Sequence, residues 1–223
     1  MSQPFLVGKA DITLTQFRQK LMEWEGNVDH FYCDGKGLVT CGIGSLMDPM
    51  VSYMSKFHKL EFYDLEKPAS TFGFANGSDK VIRSFKLIKE GRLNRFSAAK
   101  KTNLRITKTS INNLFEDEFN IAKNAAVTYY ATTAADATYK RFEDLPVNVQ
   151  FALIDMSFNL GAIKLNKYQS LKKLLSKGKF EEAAQHSFRH GGLQPDRNTS
   201  VFNWIFMYSN QGALNALSRM NMA

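Results

Sequence analysis

The sequence predicts an α+β fold in two lobes, on three observations. A Gly-rich turn, Asp34-Gly35-Lys36-Gly37, separates two short β-prone runs early in the chain. A long segment from about Thr109 carries apolar residues at helical spacing. Beyond it, each readable stretch is helical. With 223 residues, the chain can bury a sizeable core as one domain.

Taken in order, Thr13 or Thr15 caps a first helix with Leu14, Phe17, Leu21 and Trp24 among its apolar positions. That helix runs out at Glu25, and Gly26 suits the position past its end. Glu25 is thus expected at the negative pole of a helix dipole, which disfavours ionisation and should raise its pKa. Short strands are expected at 30–33 and 38–43, with Gly42 and Gly44 leaving little bulk on the returning strand.

Residues 47–101 are the least readable, mixing aromatics with basic residues. Phe72-Gly73-Phe74-Ala75-Asn76-Gly77 reads as a loop or hairpin, and 81–88 as a short amphipathic helix. Arg92, Arg95, Lys100, Lys101 and Arg105 read as a solvated basic face. The long helix should bury Ile111, Leu114, Phe115, Ile121, Ala122 and Ala125, then break across 132–136. Asp144 is expected to cap a helix with Pro146 in its first turn; apolar nearly all round, it should be the central buried one, ending at Gly161. Helices at 170–176, 180–189 and 199–208 follow, with Gly178 and Gly191-Gly192 as stops.

Lys and Arg number 29 against 21 Asp and Glu, a formal charge of +8. That excess suits a polyanionic partner, and equally a merely solubilising surface. A nucleic-acid partner is not expected, because no binding signature is present and the aromatics do not interleave with the basic run. No apolar run is long enough for a transmembrane segment, and 1–9 lacks the apolar core of a secretory signal. Cys33 and Cys41 are the only cysteines, which excludes a disulfide scaffold and a four-thiolate metal site. The expectation is two unlinked thiols rather than a cross-hairpin disulfide.

Two carboxylates and a hydroxyl around a hairpin are what glycosidic hydrolysis needs: Glu25 and Asp34 as acid and base, Thr40 to hold water. Eight residues separate Glu25 from Asp34 and five separate Asp34 from Thr40; Cys41-Gly42-Ile43-Gly44 follows. This arrangement resembles the phage-type lysozymes, glycoside hydrolase family 24. Further similar stretches lie in the same order: Ile106-Thr107-Lys108 before Leu114-Phe115, and Ala152-Leu153-Ile154-Asp155-Met156-Ser157-Phe158-Asn159-Leu160-Gly161. Ser170-Leu171, Phe180-Glu181-Glu182-Ala183-Ala184 and Pro195-Asp196-Arg197 complete the likeness, which covers roughly 15–47 and 104–208.

The resemblance implies a general acid at Glu25, a water-activating Asp34 and a water-positioning Thr40. It also implies inversion of configuration, with the carboxyls roughly 6.5–9.5 Å apart. Arg197 is implied to pair with Glu25 from the other lobe, which would lower the carboxyl's pKa, against the dipole argument. Leu46, Phe158, Asn159 and Ser170 are implied to line the saccharide groove, with a plain core aromatic as the other reading of Phe158. No cofactor and no metal are implied.

The chain also departs from that family. Ser45 stands where a His usually forms a buried ion pair, and His186 stands where a groove Asn is usual. Residues 47–103 carry an insertion, read either as an altered substrate rim or partner surface or as mere decoration. The implied single domain comprises an N-terminal helix to about residue 25 packing on the C-lobe, an N-lobe at 26–108, an inter-lobe helix at 109–130 and a helical C-lobe at 131–223.

The functional expectation is a monomeric peptidoglycan hydrolase, an N-acetylmuramidase acting on glycan strands. It would be made in the cytoplasm without a signal peptide and act on the cell wall, in the periplasm, after delivery or release. Either a phage lysin freed by a holin or a delivered antibacterial toxin with an immunity protein fits; the insertion tilts toward the toxin. The rival is a catalytically inactive peptidoglycan-binding module on the same fold.

Overall fold

The computed structural model describes residues 12–131, 135–189 and 195–209. The fold is mixed α+β, in two compact units. One unit is Leu21–Glu118; the other holds the described residues before it and those from Phe119 onward.

Helix α1 (Leu14–Glu25) begins with a reciprocal cap. Thr13 Oγ1 accepts from the Gln16 N–H, and Gln16 Oε1 accepts from the Thr13 N–H. The Leu21–Glu118 unit then contains an antiparallel sheet of β1 (Val28–Cys33), β2 (Val39–Gly42) and β3 (Ser45–Leu46), in that order. A second sheet, ordered β5-β4-β6, is built from β4 (Glu61–Asp64), β5 (Lys67–Gly73) and β6 (Leu104–Ile106). Around these lie α2 (Met54–His58), α3 (Phe74–Glu90), α4 (Arg95–Lys101) and the first part of α5 (Lys108–Tyr130).

The stretch that resisted reading in the sequence turns out to supply the core. Phe57, Phe62 and Phe85, all from the insertion, surround Phe31 of β1 at ring distances of 5.7, 6.1 and 5.9 Å. Phe74 adds to this cluster through Phe57. At about 1.5–3 kcal/mol per buried Phe, this cluster is a principal source of the unit's stability. Aromatics arriving from strands and helices of different period have no single repeat, so pattern reading could not find them. The expected short helix at 81–88 is the middle of α3, which starts directly after β5.

Arg105 corrects the basic-face reading. It is buried, donating to the carbonyls of Ala99, Thr102 and Leu104 and lying 3.5 Å from Asp29. In α5, Ile121 is 62% exposed, while Phe119 and Ala126 are buried. The three–four step from Ile111 through Leu114, Phe115, Phe119, Ala122 and Ala126 bypasses position 121.

In the other unit, Phe17 of α1 packs on Phe119, Phe151 and Trp204 at 6.1, 4.5 and 5.6 Å. The expected central helix is α6 (Val147–Leu160), buried from Val149 to Ser157 apart from Gln150, and Gly161 (φ +75°) ends it. Helix α7 (Ala162–Leu165) follows it, α10 (Pro195–Phe206) packs on it, and α9 (Phe180–Gln185) packs on α10 and on α8 (Gln169–Ser176).

Three boundaries differ from expectation. Asp144 does not cap α6; its carboxylate accepts from the Arg141 N–H and closes the short turn Phe142–Asp144. Helix α9 stops at Gln185, with Ser187 Oγ donating to the Ala184 carbonyl just beyond. Helix α10 starts four residues early, because Pro195 suits a first helical position; Thr199 is already interior, donating to the Pro195 carbonyl. Residues 132–134 of the expected break and Gly191-Gly192 lie outside the described residues. Among the described residues, no helix is long and apolar enough to cross a membrane.

Candidate active site

Glu25 is the last residue of α1, halted by Gly26 (φ +81°), whose N–H donates to the Met22 carbonyl. Its side chain lies on the turn between β2 and β3. A methyl on Gly44 would sit 2.7 Å from Glu25 Oε2 and 3.3 Å from Glu25 Cβ. Gly44 also has φ +72°, so bare backbone is needed there for two reasons.

Asp34 opens the hairpin turn. Its Oδ1 accepts from the N–H groups of Lys36 (2.8 Å) and Leu38 (2.9 Å). One carboxylate oxygen thus braces the turn, while Oδ2 has no hydrogen bond among the described residues. Thr40 lies on β2, opposite Tyr32 of β1 and Leu46 of β3. Tyr32, Thr40 and Leu46 therefore form a row on one sheet face. Thr40 Oγ1 donates to the Leu38 carbonyl at 3.2 Å, which leaves the hydroxyl oxygen as an acceptor.

The insertion backs this hairpin at several points. Lys89 of α3 pairs with Asp48 and donates to the Gly37 carbonyl, and Asp48 Oδ2 accepts from the Val39 N–H. The Cys33 N–H donates to the Leu93 carbonyl at 2.7 Å. The two nitrogens of buried His30 lie 2.9 Å from Asp29 Oδ1 and 2.8 Å from the Arg95 carbonyl. At β3, Lys56 donates to the Leu46 carbonyl and pairs with Glu118.

Burial, then the charge of Glu25, push the Tyr32 phenol up to about 12; Cys41 and Asp34 add to this and Arg95 opposes it. Complete burial pushes the Cys41 thiol up to about 12, and burial raises Cys33 as well. Both are free, as expected, and neither is a ready nucleophile. Buried Ser45 has an Oγ without a hydrogen bond among the described residues. Those residues hold no group of three or more His, Cys, Asp or Glu suited to a metal ion.

The remaining expected residues belong to the second unit. Phe158 and Asn159 are part-exposed at the end of α6, so Phe158 is not a fully buried core aromatic. Ser170, exposed on α8, lines an open pocket with Lys173, Lys177, Lys179 and His186. Ser170 and His186 thus line one pocket. Arg197 is buried, with Nε and Nη2 at 2.9 and 2.8 Å from Asp155 Oδ1.

Asp155 also holds the Arg189 Nη1 at 2.8 Å through Oδ2. Burial lowers the Arg189 pKa, which Asp155 opposes and Arg197 reinforces. Sequence reading passed over Tyr32, Asp155 and Arg189. For Asp155 a signal was present: a lone acid inside an otherwise apolar helix. No protein-family model matches the chain, and no curated protein matches it.

Proposed function

We propose that the chain is a peptidoglycan hydrolase of lysozyme type, an N-acetylmuramidase cleaving the β-1,4 bond between N-acetylmuramic acid and N-acetylglucosamine. The observation that carries this reading lies within one unit. The Glu25 carboxyl sits on the turn that follows the Asp34–Thr40 hairpin, and Asp34 keeps an oxygen available for water.

In the reaction, Glu25 gives its proton to the leaving glycosidic oxygen as the anomeric C–O bond breaks. Water attacks the anomeric carbon from the opposite face and passes its proton to Asp34 Oδ2. Thr40 Oγ1 accepts a hydrogen bond from the water's other O–H, which stays with the product hydroxyl, because its own proton is committed to the Leu38 carbonyl. Leu46, Phe158, Asn159 and Ser170 are the proposed saccharide contacts, and Arg197 the supporting cation. The +8 charge favours an anionic envelope.

Delivery as a toxin, with an immunity protein as partner, or release as a phage lysin both fit this chemistry. The insertion favours neither, since core building and hairpin bracing account for it. The test is clearing of purified peptidoglycan, with product analysis, for wild type and Glu25→Gln. The reading expects new N-acetylmuramic acid reducing ends from wild type and at least about a hundredfold less from the variant. A wild type that leaves the walls turbid would end it, and wall binding without cleavage would favour the inactive module.

A further inference from the structure

Residues 83–101 carry seven Lys or Arg and a single acid, Glu90, an excess of six beside the whole chain's +8. They run from the last turns of α3, through a short bend, to the end of α4, all within the Leu21–Glu118 unit. At the bend the Leu93 N–H donates to the Ile88 carbonyl; beyond α4, Thr102 Oγ1 lies 3.0 Å from Ser84 Oγ, so the chain folds back on α3. Val81, Ser84, Phe85 and Ile88 turn one stripe of α3 inward, which leaves Arg83, Lys86, Leu87 and Glu90 on the outer stripe. On α4, Ala98 is buried, while Arg95, Phe96, Lys100 and Lys101 are exposed.

Two observations separate this face from a merely solvated one. Arg83, Lys86, Arg92, Arg95, Lys100 and Lys101 form no ion pair among the described residues. Elsewhere in the same unit, Lys56, Lys59, Lys80 and Lys89 each hold a carboxylate. Two apolar side chains also stand exposed among the cations. Phe96 is 69% exposed, with the Arg95 guanidinium 4.9 Å from its ring centre, and Leu87 is 44% exposed.

We propose that this face is a docking surface for an anionic phospholipid bilayer. The cations meet the phosphate layer without first giving up a carboxylate partner, and Phe96 enters the boundary between headgroups and acyl chains. A soluble polyanion would satisfy the cations but offer Phe96 and Leu87 no apolar medium, which favours the bilayer. Docking of this kind is independent of the glycosidase reading, and its measurement needs no turnover.

The test is co-sedimentation of the full chain with vesicles of phosphatidylcholine alone and of equimolar phosphatidylcholine and phosphatidylglycerol. Binding to the mixed vesicles should be at least about tenfold tighter than to the neutral ones, and should weaken as salt is raised. Lys100→Glu with Lys101→Glu should weaken it about thirtyfold or more, and Phe96→Ser about tenfold. Lys123→Glu with Lys140→Glu changes the net charge equally at exposed positions elsewhere, and should cost no more than about threefold. All five side chains are exposed, so each variant should melt as wild type does.

Equal binding to both kinds of vesicle, no binding to either, or equal losses from the two lysine pairs would overturn the surface. So would binding to an oligonucleotide as tight as to the mixed vesicles and unchanged in Phe96→Ser, which would assign the cations to a soluble polyanion.

Discussion

Glu25 Oε2 and the backbone of Gly44 are in direct apposition, close enough that a single methyl would lie 2.7 Å from the oxygen. Gly44→Ala meets that oxygen and also a positive φ. The expected result is a destabilisation of about 1–3 kcal/mol, with loss of wall clearing well beyond the loss of folded protein. Thermal melting beside a turbidity assay separates the two effects, and a variant with wild-type activity would show that the Glu25 position is not needed.

Asp34 braces the turn with one oxygen and, in the proposed reaction, takes a proton from water with the other. Asp34→Asn keeps an amide oxygen for the Lys36 and Leu38 N–H groups, so stability should stay within about 0.5 kcal/mol. Activity should fall about a hundredfold or more. Asp34→Ala should lose activity equally and about 1–2 kcal/mol as well, since both turn hydrogen bonds go. Denaturant melts of the pair check the distinction.

Asp155 is buried between two buried arginines. Asp155→Asn removes the anion and leaves both cations, so a cost of about 3–5 kcal/mol is expected. Chemical denaturation measures it. A much smaller loss would show that groups other than Asp155 neutralise Arg189 and Arg197.

Asp29 offers a pH test. The hydrogen bond from His30 lowers its carboxyl pKa, burial opposes this, and Arg105 helps. A folded pKa below the unfolded value of about 3.9 means that the contribution is present above that value and lost as pH falls through the lower one. The stability gap between wild type and Asp29→Asn should therefore be constant from neutral pH to about 5, then shrink as pH falls below about 4. Melts from pH 7 to pH 2 follow it; a gap that widens on acidification would contradict the assigned direction.

Local signals made the frame legible. Gly26 after Glu25 marked the helix end, Asp34-Gly35 marked the hairpin, and the unbroken apolar run of α6 marked a buried helix. Each depends on backbone preference or on a single period, which a linear chain displays directly. Glu25, Asp34 and Thr40 were readable for the same reason: a helix end, a turn and the next strand lie within 16 residues of one another.

The chain by itself therefore determined the α+β class, the order of the main elements outside the 47–103 insertion and the acid–turn–hydroxyl arrangement. Tertiary structure alone decided that Phe57, Phe62 and Phe85 close on Phe31, that Arg105 is buried, and that Asp155 holds two arginines. The aromatic and Asp155 contacts join residues from about 26 to more than 50 positions apart. Their free energy comes from mutual burial and charge pairing, which no local propensity or spacing encodes.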